Sequence, residues 1–190
     1  MKKTSLCLAL ATSVALSSTA AFAAPDTYMT FGASSLKYKE EAMGLKATAN
    51  PYMGSVGIGA NLYEHLAVEG MFAIGLNEAD ADISGISGVS GDLKLDYALG
   101  AYALVRSYEN HVGSAFIKAG FTKMQGSGSV SSGGLSDRFD IDDSSFSYGL
   151  GVDFTYSPES SIRVEYMNYY DKDDITVDGF SLVFKTSLPL

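Results

Sequence analysis

From about residue 27 onward the chain alternates apolar and polar residues with a period of two, in eight segments of strand length. In the first, at about 27–39, Met29, Phe31 and Ala33 share one face and Thr30, Gly32 and Ser34 the other. The second, at about 52–63, sets Val56, Ile58, Ala60 and Leu62 against Ser55, Gly57, Gly59 and Asn61. The third sets Leu66, Val68, Phe72, Ile74 and Leu76 against Ala67, Glu69, Met71 and Gly75. The fourth, at about 92–106, sets Leu93, Leu95, Tyr97, Leu99, Ala101, Ala103 and Val105 against Lys94, Asp96, Gly100, Tyr102 and Arg106. The last four set Ile117 and Phe121 against Lys118, Leu150 and Val152 against Asp153, Ile162 and Val164 against Arg163 and Glu165, and Phe180, Leu182 and Phe184 against Gly179, Ser181 and Lys185.

Half-buried sheets in water alternate in the same way, so three further features decide which face is inside. The segments have about the ten residues of a tilted membrane strand. Short connections near Glu64, Glu109 and Glu159 alternate with long ones at 40–51, 77–91 and 126–143 and a smaller one at 171–175, the arrangement of short periplasmic turns and longer outer loops. Aromatic residues gather at strand ends, where headgroups favour rings with one wet edge: Tyr38, Tyr52, Tyr97, Tyr148 and Tyr169 toward the long loops, Tyr28, Tyr63, Tyr108, Tyr156 and Phe184 toward the short turns. Lipid offers no partner to a free strand edge, so the first and last strands must pair. The expected fold is therefore all-β: an eight-stranded antiparallel up-and-down transmembrane β-barrel, apolar outside and polar within, with both termini on the periplasmic side.

The N-terminus reads as an export signal. Met1-Lys2-Lys3 is a basic start, residues 6–16 are apolar, and Ala21-Phe22-Ala23 supplies small residues for cleavage after Ala23. The apolar run is shorter than the roughly 20 residues a spanning helix needs. The expected division is a signal peptide at 1–23 and a barrel domain at 24–190. Cys7, the only cysteine, lies inside the signal, which leaves the mature domain without disulfide, thiolate nucleophile or Cys-based metal site. The formal net charge of −9, made more negative by loss of Lys2 and Lys3, argues against nucleic acid as a partner. Twenty glycines, twelve tyrosines and no tryptophan suit a curved, aromatic-edged sheet.

This layout resembles the small outer-membrane barrels of the OmpA/OmpX type, the "outer membrane beta-barrel domain" or "porin family" proteins, over nearly the whole mature chain. The resemblance implies a bacterial outer-membrane location, lipid and lipopolysaccharide as surroundings, and a closing strand read by the insertion machinery. Gly179, Phe180, Leu182 and Phe184 match that closing signal, although the chain runs on through Lys185 to Leu190. No peptidoglycan-binding domain follows, so that role of larger relatives does not transfer.

A barrel this small is filled by its own side chains. The inward set holds both signs of charge: Glu69, Lys94, Asp96, Arg106, Lys118, Asp153, Arg163, Glu165 and Lys185. Buried charges persist only when paired, which predicts a ladder of ion pairs along the barrel axis. His65 and His111 fall beside short turns, away from the outer half where outer-membrane lipid A deacylases and proteases of similar architecture hold their catalytic residues, so no enzyme, cofactor or metal centre is expected. Asp137, Asp140, Asp142 and Asp143 crowd the third long loop as a possible cation contact, without the spacing of a Ca²⁺ loop. The expected role is non-enzymatic, in envelope structure or in surface interaction through the long loops by a monomer, with the ligand unnamed. The alternatives are a small-solute pore, a lipid-modifying enzyme, and a secreted soluble ligand-binding barrel.

Overall fold

The first and last strands meet. β1 (Asp26–Ala42) pairs antiparallel with β10 (Ile175–Ser187) from Tyr28 opposite Ser187 to Glu40 opposite Ile175, and this seam closes the sheet. The computed structural model describes residues 26–42, 45–84, 89–108, 112–132, 135–172 and 174–188. Between the seam strands lie β2 (Leu45–Ala49), β3 (Tyr52–Tyr63), β4 (Leu66–Gly75), β5 (Glu78–Ser84), β6 (Val89–Arg106), β7 (Gly113–Ser132), β8 (Leu135–Ser157) and β9 (Ser160–Lys172). Each wall strand pairs with its sequence neighbour, the signature of an up-and-down meander. Eight strands form the wall, because β2 and β5 are the outer continuations of β3 and β4: β2 pairs with β1 and β5, and β5 with β6.

The interruptions have local causes. Pro51 has no N–H to give the ladder and separates β2 from β3, while its carbonyl accepts from Leu36 N at 2.9 Å. Asn77 separates β4 from β5 and turns its side-chain oxygen onto Tyr52 N at 2.7 Å. At the same level the β6–β7 register slips between Leu95 and Tyr97, a bulge at Asp96. The β9–β10 register slips beside Asp178.

The stretches expected as long loops are mostly strand. β6, β7 and β8 run for 18, 20 and 23 residues, well past the ten or so that cross a membrane. The β7–β8 arm holds an unbroken register out to Ser132 opposite Leu135, with the Phe139 ring lying where a Cβ on its partner Gly128 would be. That contact covers a glycine that would otherwise weaken the ladder. Above Tyr148, β8 pairs with β7 alone, so one edge of this arm is free of strand partners among the described residues.

The outward face is apolar. Phe31, Ile58, Phe72, Ile117, Phe121, Leu150, Leu182 and Phe180 all stand exposed around the wall. In water so continuous a belt would be an aggregation surface; against acyl chains it is the solvent-facing side. Aromatic neighbours reinforce it, with Tyr166 and Phe180 at 4.9 Å and Phe121 and Phe146 at 5.7 Å between ring centroids.

Candidate functional site

Inward phase on β4, β7, β8 and β9 delivers Glu69, Lys118, Asp153, Arg163 and Glu165 to one place in the short-turn half of the lumen. Arg163, on β9, is the hub. It grips Asp153 through Nε and Nη2 at 2.7 and 3.2 Å, and its Nη1 donates to Glu69 at 2.8 Å. Lys118 donates to the other oxygen of Glu69 at 2.6 Å and stands 3.5 Å from Glu165. Lys185 approaches Asp153 at 3.5 Å. Aromatic rings floor the cations: Arg163 over Phe116, Lys118 over Tyr102, and both Arg106 and Lys185 over Tyr28. Glycine makes the room. A Cβ on Gly59 would strike the Tyr28 ring, and one on Gly151 the Phe116 ring.

Seven of the nine residues expected in the lumen therefore face it, and two do not. Lys94 and Asp96 point outward, 55% and 40% exposed, while Leu93 and Leu95 point inward and are buried. The bulge at Asp96 consumes one residue without a ladder partner, which inverts the side-chain phase of everything beyond it. The ion pairs consequently form a compact cluster in one half of the barrel rather than a ladder along its length.

Above the charges lies a layer of hydroxyls. Tyr102 and Ser147 both bond Thr122 Oγ1 at 2.7 Å, Ser147 Oγ also donates to the Tyr169 carbonyl, and Tyr169 reaches Ser181, which meets Ser34. Above that again the outer half is apolar: Leu36, Met53, Leu93, Leu95, Met124 and Val177 interlock as a core, leaving an apolar cavity of about 50 Å³. Arg163 is 1% exposed and Glu69 and Glu165 5% each. A continuous aqueous path along the axis would wet these side chains, so the lumen is filled.

Among the expected interface aromatics, Tyr52, Tyr63, Tyr148, Tyr156 and Phe184 are exposed and Tyr97 is half-buried. Tyr38 and Tyr169 correct the expectation. Tyr38 shares the inward phase of Ser34 and Leu36, and Tyr169 sits where the β9–β10 register slips, so both rings are buried in the lumen. Tyr28, placed at the same belt by sequence, is also buried inside; its phase with Thr30 and Ser34 was the available signal. Gly179, Phe180, Leu182 and Phe184 lie on β10, with the three apolar side chains facing outward. Beyond them the strand continues to Ser187, and Leu188 N donates to the Thr27 carbonyl.

The acidic group of the third loop is dispersed by the strand it sits on. Asp142 pairs with Lys123 at 2.9 Å on one face, and Asp143 with Lys172 at 2.8 Å and Tyr170 at 3.0 Å on the other, while Asp137 and Asp140 are exposed. The Lys172 ammonium, with help from the Ser144 N–H and the Tyr170 hydroxyl, holds the Asp143 carboxyl down at about 2. No group of three or more His, Cys, Asp or Glu positioned to hold a metal occurs among the described residues. His65 packs edge-on against Tyr108 at 4.4 Å between centroids, and His111 lies outside the described residues, as do residues 1–23 of the expected signal.

The family described as "Outer membrane protein beta-barrel domain" matches residues 6–186. The chain belongs to that family. The outer-membrane barrel is similar in fold to Ail, the attachment invasion locus protein of Yersinia pestis, at 20% identity and a TM-score of 0.60, covering 87% of this chain and 100% of that one. It is also similar to Neisserial surface protein A, at 16% identity and 0.59, covering 88% and 100%. A third likeness is to OprG from Pseudomonas aeruginosa, at 10% identity and 0.55, covering 88% and 98%. Ail has also been crystallised with the heparin analogue sucrose octasulfate, a form 21% identical to this barrel. No curated protein matches.

Proposed function

We propose that this outer-membrane barrel is a non-enzymatic surface-interaction protein, exported by a signal removed after Ala23, inserted through its β10 signal and working as a monomer. The observation that carries the reading is the outer arm. β7 and β8 extend as an ordered hairpin beyond the apolar belt, standing on a barrel whose lumen is occupied by ion pairs and apolar side chains. Rigid scaffolds with projecting segments are a common platform for recognition. The arm and neighbouring strands are rich in exposed acid: Glu78, Asp80, Asp82, Asp92, Asp137 and Asp140 all face water. That charge fits a cationic partner surface rather than a sulfated sugar of the kind bound by Ail.

The test is binding of the full barrel in nanodiscs to immobilised polylysine and to heparin at physiological salt. Retention on polylysine that falls when Asp137, Asp140 and Asp142 are changed to Asn supports the reading; preferential retention on heparin overturns it. The pore alternative is separated by planar-bilayer conductance, which for a filled lumen stays at background.

A further inference from the structure

The lumen cluster is not neutral. Among the described residues it contains four cations, Arg106, Lys118, Arg163 and Lys185, against three carboxylates, Glu69, Asp153 and Glu165. Lys118 and Arg163 each reach Glu69 and a second carboxylate, and Lys185 shares Asp153. Arg106 has none. Its partners are neutral: Asn61 Oδ1 at 2.7 Å and the Tyr28 hydroxyl at 3.1 Å. A half-buried guanidinium whose hydrogen bonds go only to neutral groups, with Asp153 acting on it at longer range, is incompletely balanced, and such charges attract a counterion.

There is space for one. Below Arg106 and Lys185 the barrel opens to the periplasmic end as a polar vestibule of about 390 Å³, lined by Asn61, Thr155, Ser160 and Ser161 as well as the two cations. Arg106 Nε and Thr27 Oγ1 are buried without a hydrogen-bond partner, and both residues line this vestibule. Arg106 and Lys185 lie over the same Tyr28 ring, 5.3 and 4.6 Å from its centroid, so an anion between them would relieve their mutual repulsion. Asp26 and Glu159 also border the vestibule, but both are exposed to water, where their repulsion is screened.

We propose that this vestibule binds a small phosphate-type oxyanion between Arg106 and Lys185, with serine and threonine hydroxyls completing its shell. Charge-assisted hydrogen bonds from guanidinium and ammonium to an oxyanion are the strong kind. The anion is either soluble phosphate or the phosphate of an inner-leaflet phospholipid headgroup; the recognition chemistry is shared.

The experiment is calorimetric titration of inorganic phosphate into the full barrel folded in octyl glucoside, at constant ionic strength with chloride as the competing anion. The expected result is a saturable isotherm that weakens at least tenfold in Arg106→Gln and in Lys185→Gln and is unchanged in Lys172→Gln at the outer end. Folding of each variant is checked by its unheated gel mobility, and if Arg106→Gln does not fold, Lys185→Gln alone decides. Repeating the titration with a phosphocholine detergent separates the sources: competition assigns the site to headgroups, and no competition to soluble phosphate. Heat no greater than that of chloride, or an isotherm that the lumen variants leave unchanged, overturns the proposal.

Discussion

Glu69 on β4 and Arg163 on β9 touch at 2.8 Å, although 94 positions separate them in the chain. Their strands stand on opposite sides of the eight-stranded wall, so this contact spans the lumen and ties its two halves together. Glu69 serves Lys118, Arg163 and the Tyr28 hydroxyl at once.

Replacing Glu69 with Gln leaves Lys118 and Arg163 with too few carboxylates in a site almost without water. Breaking a buried pair by removing one partner costs about 3–5 kcal/mol. The expected outcome is a loss of that size in urea unfolding of the micelle-folded barrel, with Arg163→Met losing a similar amount. A change below about 1 kcal/mol, the range of exposed pairs, shows instead that the cluster is solvated.

The occupied lumen has two independent blocks. Truncating the apolar one, with Leu95→Ala and Met124→Ala together, leaves the charge cluster beneath it intact. Planar-bilayer conductance is expected to remain at background in this double variant. Discrete channels there contradict a closed lower half.

The phase inversion at Asp96 can be read with thiol labels, since the sequence contains no cysteine after Cys7. A cysteine placed at Lys94 is expected to react with a water-soluble maleimide, and one placed at Leu95 to be protected. Deleting Asp96 removes the bulge and exchanges the two reactivities.

Gly59 faces the Tyr28 ring with no room for a side chain. Gly59→Val forces the ring away from Arg106 and Lys185 and is expected to destabilise the barrel by about 1–3 kcal/mol, the range for overpacking. Thermal unfolding followed by gel mobility measures it, and an unchanged midpoint rejects the packing argument.

The outer end has its own pH dependence. Asp143, held at about 2 by Lys172, Ser144 N–H and Tyr170, is lower folded than unfolded, where a carboxyl of this type titrates near 3.9. Its contribution is therefore full above about pH 4 and is lost as the pH falls toward 2. The side chain is 39% exposed, so the effect is screened and stays under about 1 kcal/mol. Unfolding midpoints of the parent and of Asp143→Asn are expected to differ at pH 6 and to converge near pH 2. A constant difference across that range assigns the effect to packing rather than charge.

Much of this architecture is local. A strand's side chains alternate with a period of two whatever the rest of the molecule does, so Val56, Ile58, Leu150 and Val164 could be assigned outward, and Glu69, Lys118, Asp153, Arg163 and Glu165 inward, from the alternation itself. The need to pair every backbone group in lipid then required closure of the first strand on the last. Residues 126–132 show the limit of composition: a run of Gly and Ser signals a flexible loop, yet in register with β8 it becomes strand, because pairing is a property of two segments and not of one.

The alternation alone established the inside-out barrel and which residues share each face between irregularities. Only the tertiary structure decided where that alternation is reset, at Asp96 and beside Asp178, and hence that Leu95 and Tyr169 lie inside while Lys94 lies outside. It also decided who meets whom across the lumen, such as Arg163 with Glu69, and that Arg106 hydrogen-bonds only neutral partners. The reason is physical: the face a side chain takes follows from its neighbours along the strand, whereas contacts across a barrel depend on the stagger of the whole wall and on single bulged residues.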